Sequence, residues 1–138
     1  MKHLVLTTIA AVVLVGCGSS PEKKLIGEWK DINDEVLMVF NANGSVRMID
    51  GNTVMDNTSE EIESMTWKLD ASQDPMHLDL VFTPSIKAAT QETQTIKMIA
   101  RFIADNKLQV RGFNDDGENR PSGFTAKKVD GQELWVRQ

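Results

Sequence analysis

Cys17 is the only cysteine in the sequence, so no second thiol is available to staple a fold with a disulfide. Any folded domain here has to hold by core packing alone. Histidine is almost as scarce. His3 sits in the N-terminal segment, and His77 is the other one. A Ser-His-Asp arrangement would have to be built on His77. That residue alternates out of phase with Leu78 and Leu80, which places it on the outer face of a strand rather than in a cleft. A zinc site needs three or four nitrogen, sulfur or carboxylate ligands, and one histidine with one cysteine does not make the usual sets. Tyrosine is absent, and three Trp and five Phe provide no stacking platform for bases. Basic residues are outnumbered, 15 Lys and Arg against 20 Asp and Glu, whereas a nucleic-acid surface needs a basic patch or stripe. No segment sustains a 3.6-residue apolar period, and there is no internal repeat. These absences argue against an enzyme of the common types, a metal centre, a nucleic-acid partner and a helical fold.

What is present begins with a targeting segment. Lys2 and His3 make a short basic start, and Leu4 to Val15 is an almost unbroken apolar run. Twelve positions are too few to span a bilayer permanently but suit the core of an export signal. The run closes with Leu14-Val15-Gly16-Cys17, which resembles the lipobox of bacterial lipoproteins. That resemblance implies removal of residues 1–16 and lipidation of Cys17 at its sulfur and its new amino group. Several acyl chains, each contributing about 0.8 kcal/mol per buried methylene, hold a protein on a membrane where one chain is marginal. Gly18 stands where retention in the inner membrane usually shows Asp, so in a two-membrane bacterium the resemblance implies the outer membrane, facing the periplasm. Residues 17–24 then form a short lipidated tether containing Pro21. It is expected to be mobile, and at up to about 3.3–3.6 Å per residue it keeps the domain near the lipid surface. Loss of Lys2 takes the formal charge from −5 to −6, and the remaining 122 residues make one domain, residues 25–138.

That domain is patterned for strands. Ile96, Met98, Ala100 and Phe102 alternate with Lys97, Ile99, Arg101 and Ile103. After Asp105-Asn106 the alternation resumes with Leu108 and Val110 against Gln109 and Arg111. Period-2 patterning on either side of a turn pair predicts a long hairpin. Its apolar face needs further strands to cover it. Candidates are Leu25–Lys30, Val36–Phe40, Ser45–Ile49, Met65–Leu69, His77–Phe82, a short Phe124–Val129 and Glu133–Arg137. Asp50–Glu61 and Thr83–Glu92 are expected as loops, and Asn114–Gly123 as a charged, turn-rich stretch. About eight short strands in meander order predict an all-β fold, a sandwich or barrel. Tight turns between neighbours favour a single antiparallel up-and-down β-barrel.

Gly27-Glu28-Trp29 is similar to the Gly-x-Trp signature of lipocalins. The family's second signature falls where this chain has Ala104-Asp105-Asn106, of which the Asp matches, and its third is an Arg near the end of the last strand, the place of Arg137. By this resemblance Arg137 packs across Trp29 at the closed end of a barrel, a cation–π contact worth roughly 0.5–2 kcal/mol. Trp67-Lys68-Leu69-Asp70, Pro75, His77-Leu78-Asp79-Leu80, the Arg101–Arg111 hairpin and Arg120-Pro121-Ser122-Gly123-Phe124 are in turn similar to small lipocalin-like domains of bacterial exported proteins. Fold does not imply function, so the resemblance implies a shape and little chemistry.

The phases place Met65, Trp67, Leu69, Leu78, Leu80, Phe82, Ile96, Met98, Ala100, Phe102, Leu108 and Val110 inward. A barrel of eight strands is just wide enough to be filled by its own side chains or to hold one small ligand. Bulky residues favour filling, and an open apolar pocket is the other outcome. In that pocket Met65, Trp67, Leu80, Phe82, Met98, Ala100, Phe102 and Val110 would touch the ligand. Ile99 and Ile103 are expected on the exposed face. Two acidic stretches, Asp56, Glu60, Glu61 and Glu63, then Asp115, Asp116 and Glu118, lack the spacing of a calcium loop and read as solvated turns. Two functions follow as expectations, neither enzymatic nor cofactor-dependent. One is a membrane-anchored lipoprotein whose barrel binds a small apolar or amphipathic ligand. The alternative is a structural or protein-binding envelope lipoprotein with a packed barrel, using the Asp50–Glu61 loop toward a partner.

Overall fold

A computed structural model describes residues 19–88, 92–112, 119–126 and 131–138. The expected lipid anchor at Cys17, the second acidic stretch and the end of the Phe124–Val129 candidate lie outside these residues. The described residues begin with a short helix, α1 (Pro21–Leu25), and include nine strands. These are β1 (Gly27–Asp31), β2 (Leu37–Phe40), β3 (Val46–Asp50), β4 (Thr53–Met55), β5 (Ile62–Asp70), β6 (Met76–Pro84), β7 (Gln94–Ala104), β8 (Lys107–Arg111) and β9 (Gln132–Arg137). All pair antiparallel in one sheet of order β4-β3-β2-β1-β9-β8-β7-β6-β5.

Consecutive strands lie side by side except β4 and β5, and the first and last strands, β1 and β9, join to curl the sheet round. Only β4 and β5 fail to pair along their length. Their seam is crossed by an isolated bridge between Ser45 and Thr66 and by the Trp67 N–H donating to the Gly44 carbonyl at 2.9 Å. The fold is therefore a nearly closed up-and-down barrel with nine strands among the described residues, in line with the about eight expected. One of them, β4, lies inside the stretch expected to be a loop. Thr53-Val54-Met55 alternates too briefly to stand out among polar neighbours. Pairing with Asp50, Ile49 and Met48 makes it a strand.

The twelve residues phased inward all belong to one core cluster. Met65, Leu69, Leu78, Leu80, Met98, Ala100, Leu108 and Val110 are buried, while Trp67, Phe82, Ile96 and Phe102 are half-buried against them. Strands β1 to β3 add Trp29, Met38, Phe40 and Val46. Phe40 meets Trp67 edge-on at 5.9 Å between centroids and lies 6.1 Å from Trp135, so one half of the interior is filled with rings.

That half is capped by α1, which takes up residues 21–24 of the expected tether and the first residue of the first expected strand. Ser20 Oγ accepts from the Lys23 N–H, and Pro21 stands at the first helical turn, a pairing of cap and proline that starts helices. The turn drives Leu25 into the core, 1% exposed. The Leu25 carbonyl receives the Trp29 indole N–H at 2.8 Å. Arg137 lies over the other side of that ring, 4.4 Å from its centroid, and donates to the carbonyls of Ile26 and Lys24. Gly27 is where the guanidinium crosses β1. A Cβ there would sit 2.7 Å from Arg137 Nη1, and the backbone has φ +133°, so only glycine fits on both counts.

Ile99 corrects the expectation of an exposed face. It points away from the barrel interior and is only 1% exposed, whereas Ile103, four residues on, is 55% exposed. The segment 119–126 is fastened over the outer face around Ile99. Arg120 pairs with Asp79 and donates to the Met98 carbonyl, Arg111 donates to the Gly123 carbonyl at 2.7 Å, and the Arg101 guanidinium lies 4.6 Å from the Phe124 ring. Phe124 is thus part of a strap, not of a strand.

Candidate functional site

The barrel has two unlike ends. At the α1 end the interior is closed by Leu25, Trp29, Phe40 and Phe102. At the other end, where β1 leaves the sheet at Asp31 and β5 enters it at Ile62, two cavities open into the interior. One, of about 350 Å³, lies between the β4 and β5 sides of the seam, with Met48, Met55, Ile62, Phe82 and Ile96 among its walls. The other, of about 200 Å³, is lined by Val36, Met38, Met48, Leu80, Ile96, Met98 and Trp135. Met48 and Ile96 wall both, so the two adjoin. Together they are of a size to take part of a small molecule.

The register explains the methionines. Met38 on β2 is paired with Met48 on β3, and Met48 with Met55 on β4, so one cross-strand row turns three thioethers inward. Flexible, polarizable side chains leave space that branched ones would fill, and they adapt to what enters.

Of the eight residues expected to touch a ligand, Leu80 and Met98 line the smaller cavity and Phe82 the larger. The other five lie elsewhere in the core. Met65, Ala100 and Val110 are buried in its packed part, Trp67 meets Phe40 edge-on, and Phe102 lies 6.1 Å from Trp29 at the capped end. Alternation assigns a residue to the inside of a barrel but not to a level along its axis. The structure places Trp29 and Arg137 together at the capped end, as described above.

What sequence reasoning missed is the charge at the mouth. Asp31 follows Trp29 by two residues on β1, and Glu133 precedes Trp135 by two on β9, so both carboxylates share the inward face with a buried Trp. The i, i+2 offset from those tryptophans was the available signal. Asp34 joins them on the wall of the smaller cavity, and Glu61 and Glu92 line the larger one. Neither cavity is lined by a Lys, Arg or His among the described residues.

Burial raises the Glu133 carboxyl above the ordinary carboxylate value. The hydrogen bond from Trp135 Nε1, at 2.6 Å, pulls the other way, and the charges of Asp31 and Asp34 add to the rise. The folded protein therefore holds the Glu133 proton at a pH where the unfolded chain has lost it. Its contribution to stability falls as pH rises from the ordinary value through the raised one. Relative to wild type, Glu133→Gln is expected to gain stability across that window and level off above it, as followed by urea midpoints at a series of pH values. A pH-independent difference would show that the carboxyl is not held protonated by the fold.

Asp56, from the first acidic stretch, has its oxygens already engaged. Oδ1 accepts from the Thr58 N–H and hydroxyl, and Oδ2 from Arg47 Nε at 2.9 Å. Those bonds hold its carboxyl below the ordinary value and fix the turn that leads into β5. No group of three or more His, Cys, Asp or Glu side chains among the described residues is arranged to hold a metal ion.

No protein-family model matches the chain, and no curated protein matches it. Among solved structures it is similar to the crystal structure of pallilysin from Treponema pallidum. The identity is 9% and the TM-score 0.49, over 88% of this chain and 84% of that one. A likeness of that degree carries no conclusion about chemistry.

Proposed function

We propose that the chain is a non-enzymatic binding module of the bacterial cell envelope, held on a membrane by lipidated Cys17, which takes a small apolar or amphipathic molecule into the open end of its barrel. The observation that carries the reading is the pair of adjoining apolar cavities at one end of a barrel whose other end is packed shut. The lipobox resemblance supports the anchor and the outer-membrane, periplasm-facing location. The anchor would be attached at the α1 end, because α1 follows Cys17 by only a few residues. The mouth would then face away from the lipid surface, toward whatever delivers or receives the ligand.

The test uses native mass spectrometry on the chain from Ser19 onward, made without lipid or detergent. Every described strand and core residue lies beyond Ser19, so this chain carries the whole barrel. After incubation with an envelope lipid extract, a mass increment that disappears on denaturation is expected. A bare mass both before and after incubation would remove the carrier reading. It would favour the alternative, a protein-binding or structural lipoprotein, which the filled half of the interior and the exposed Ile32, Ile86 and Ile103 support.

A further inference from the structure

The ligand class can be narrowed, on the basis that the open end is a binding site. The smaller cavity combines an apolar wall with carboxylates that no ion pair among the described residues neutralises. Asp31 is 8% exposed, and Glu133 is half-buried. Asp31 Oδ1 accepts from the Asn33 N–H, Glu133 Oε2 accepts from Trp135 Nε1, and Asp34 Oδ1 accepts from the Glu35 N–H. Among the described residues none of the three is in an ion pair, while Arg47, Arg120 and Lys24 are paired with other acids. Lys30 neighbours Asp31 in sequence and lines, with Asp31 and Asp34, a surface hollow beside the smaller cavity, but it alternates to the opposite face of β1 and is in no ion pair with either acid.

Inward-facing carboxylates at the rim of a hydrophobic hole are costly unless a cation meets them. Aliphatic stabilisation would have been served by any uncharged residue at positions 31 and 133. At the larger cavity two exposed carboxylates, Glu61 and Glu92, stand beside Ile62, Phe82 and Ile96. An indole face and several thioethers, Trp135 with Met38, Met48 and Met98, are soft surroundings suited to a weakly hydrated organic cation. An anionic amphiphile, such as a fatty acid, would meet carboxylates at every approach.

We propose that the open end of the barrel binds a single-chain cationic amphiphile, its alkyl part among Met48, Ile96, Leu80 and Met98 and its ammonium group against Glu133 and Asp34. Recognition comes from the cavity and the charge on its rim together, so chain length and head-group charge both matter.

The test titrates the chain from Ser19 onward, by isothermal calorimetry, with three probes below their micelle thresholds: decyltrimethylammonium, decyl glucoside and decyl sulfate. The cation is expected to bind about tenfold or more tightly than the glucoside, a ratio within reach of one charge-assisted contact. The sulfate is expected to bind more weakly than both. In the double variant Glu133→Gln, Asp34→Asn, with its fold checked by circular dichroism, the preference for the cation over the glucoside should shrink to near unity. Asp31 is left in place because it holds the Asn33 amide. Equal binding of cation and glucoside by the wild type, or a preference for the sulfate, would overturn the cationic assignment and leave the carrier reading standing. A cation preference that survives in the double variant would overturn the placement of the ammonium group. Binding of none of the three would overturn both the assignment and the reading it rests on.

Discussion

Trp29→Ala is expected to destabilise the barrel by about 3–5 kcal/mol, the range for removing a large buried aromatic ring. Set against a total of about 5–15 kcal/mol for a domain of this kind, that is enough to unfold a sizeable fraction of it at physiological temperature. The ring is 0% exposed and holds three elements at once. Its N–H fixes the end of α1 through Leu25, one face carries Arg137 from β9, and Phe102 from β7 packs at 6.1 Å. Truncation leaves a hole, an orphaned Leu25 carbonyl and a guanidinium with nothing beneath it. Trp29→Phe keeps most of the apolar contact but loses the indole donor, so a smaller cost of about 1–2 kcal/mol is expected. Urea unfolding measures both, with the slope unchanged if the unfolded state is the same. A loss below about 1 kcal/mol for the alanine variant would show that the capped end is held chiefly by α1 and the strand ladder.

Ile96→Trp is expected to abolish uptake of a small ligand while costing less than about 1.5 kcal/mol, because the added ring has an existing space to enter. Ile96 is half-buried and walls both cavities, so one substitution blocks both. The sequence alone nominates Ala100 or Met98 for this purpose; Met98 lines the smaller cavity only, and Ala100 is 1% exposed and lines neither. A tryptophan there would overpack the core and confuse blocked binding with unfolding. Native mass spectrometry after incubation with the extract reads the loss of uptake, and a urea midpoint reads the fold. Undiminished uptake by a folded Ile96→Trp protein would place the ligand somewhere other than the open end.

The local pattern carried much of this. Strands β5 to β8 were legible because each is long enough to alternate several times, and their inward residues lie where the phases put them. Pairings across tight turns were legible for the same reason. What could not be read were effects arriving from far along the chain. Ile99 is covered by residues more than twenty positions away, and no window around Ile99 contains that strap. The capped and open ends were invisible because alternation has no sense of height in a barrel. β4 and α1 are short elements whose local signals are weak. Ser20 and Pro21 are a helix-start pair, but five residues of helix leave no period that separates them from a tether. The inward carboxylates were missed for a different reason. Asp31 and Glu133 stand at the outer ends of β1 and β9, where one step of alternation beyond a tryptophan is the whole signal.

The seam between β4 and β5 bears on which partners the protein can accept. A curled sheet that stopped short of closure would offer two bare edges, each a template for another strand and so a route to aggregation. Here the edge of β5 is already occupied. The Met65 N–H donates to the Asn57 side chain and the Trp67 N–H to Gly44, while the indole of Trp67 reaches the Asn41 carbonyl. β4, the opposing edge, is only three residues long. An extended peptide therefore has little free backbone to zip onto, and a protein that docks on this barrel has to recognise it by side chains and loop shape rather than by lengthening the sheet.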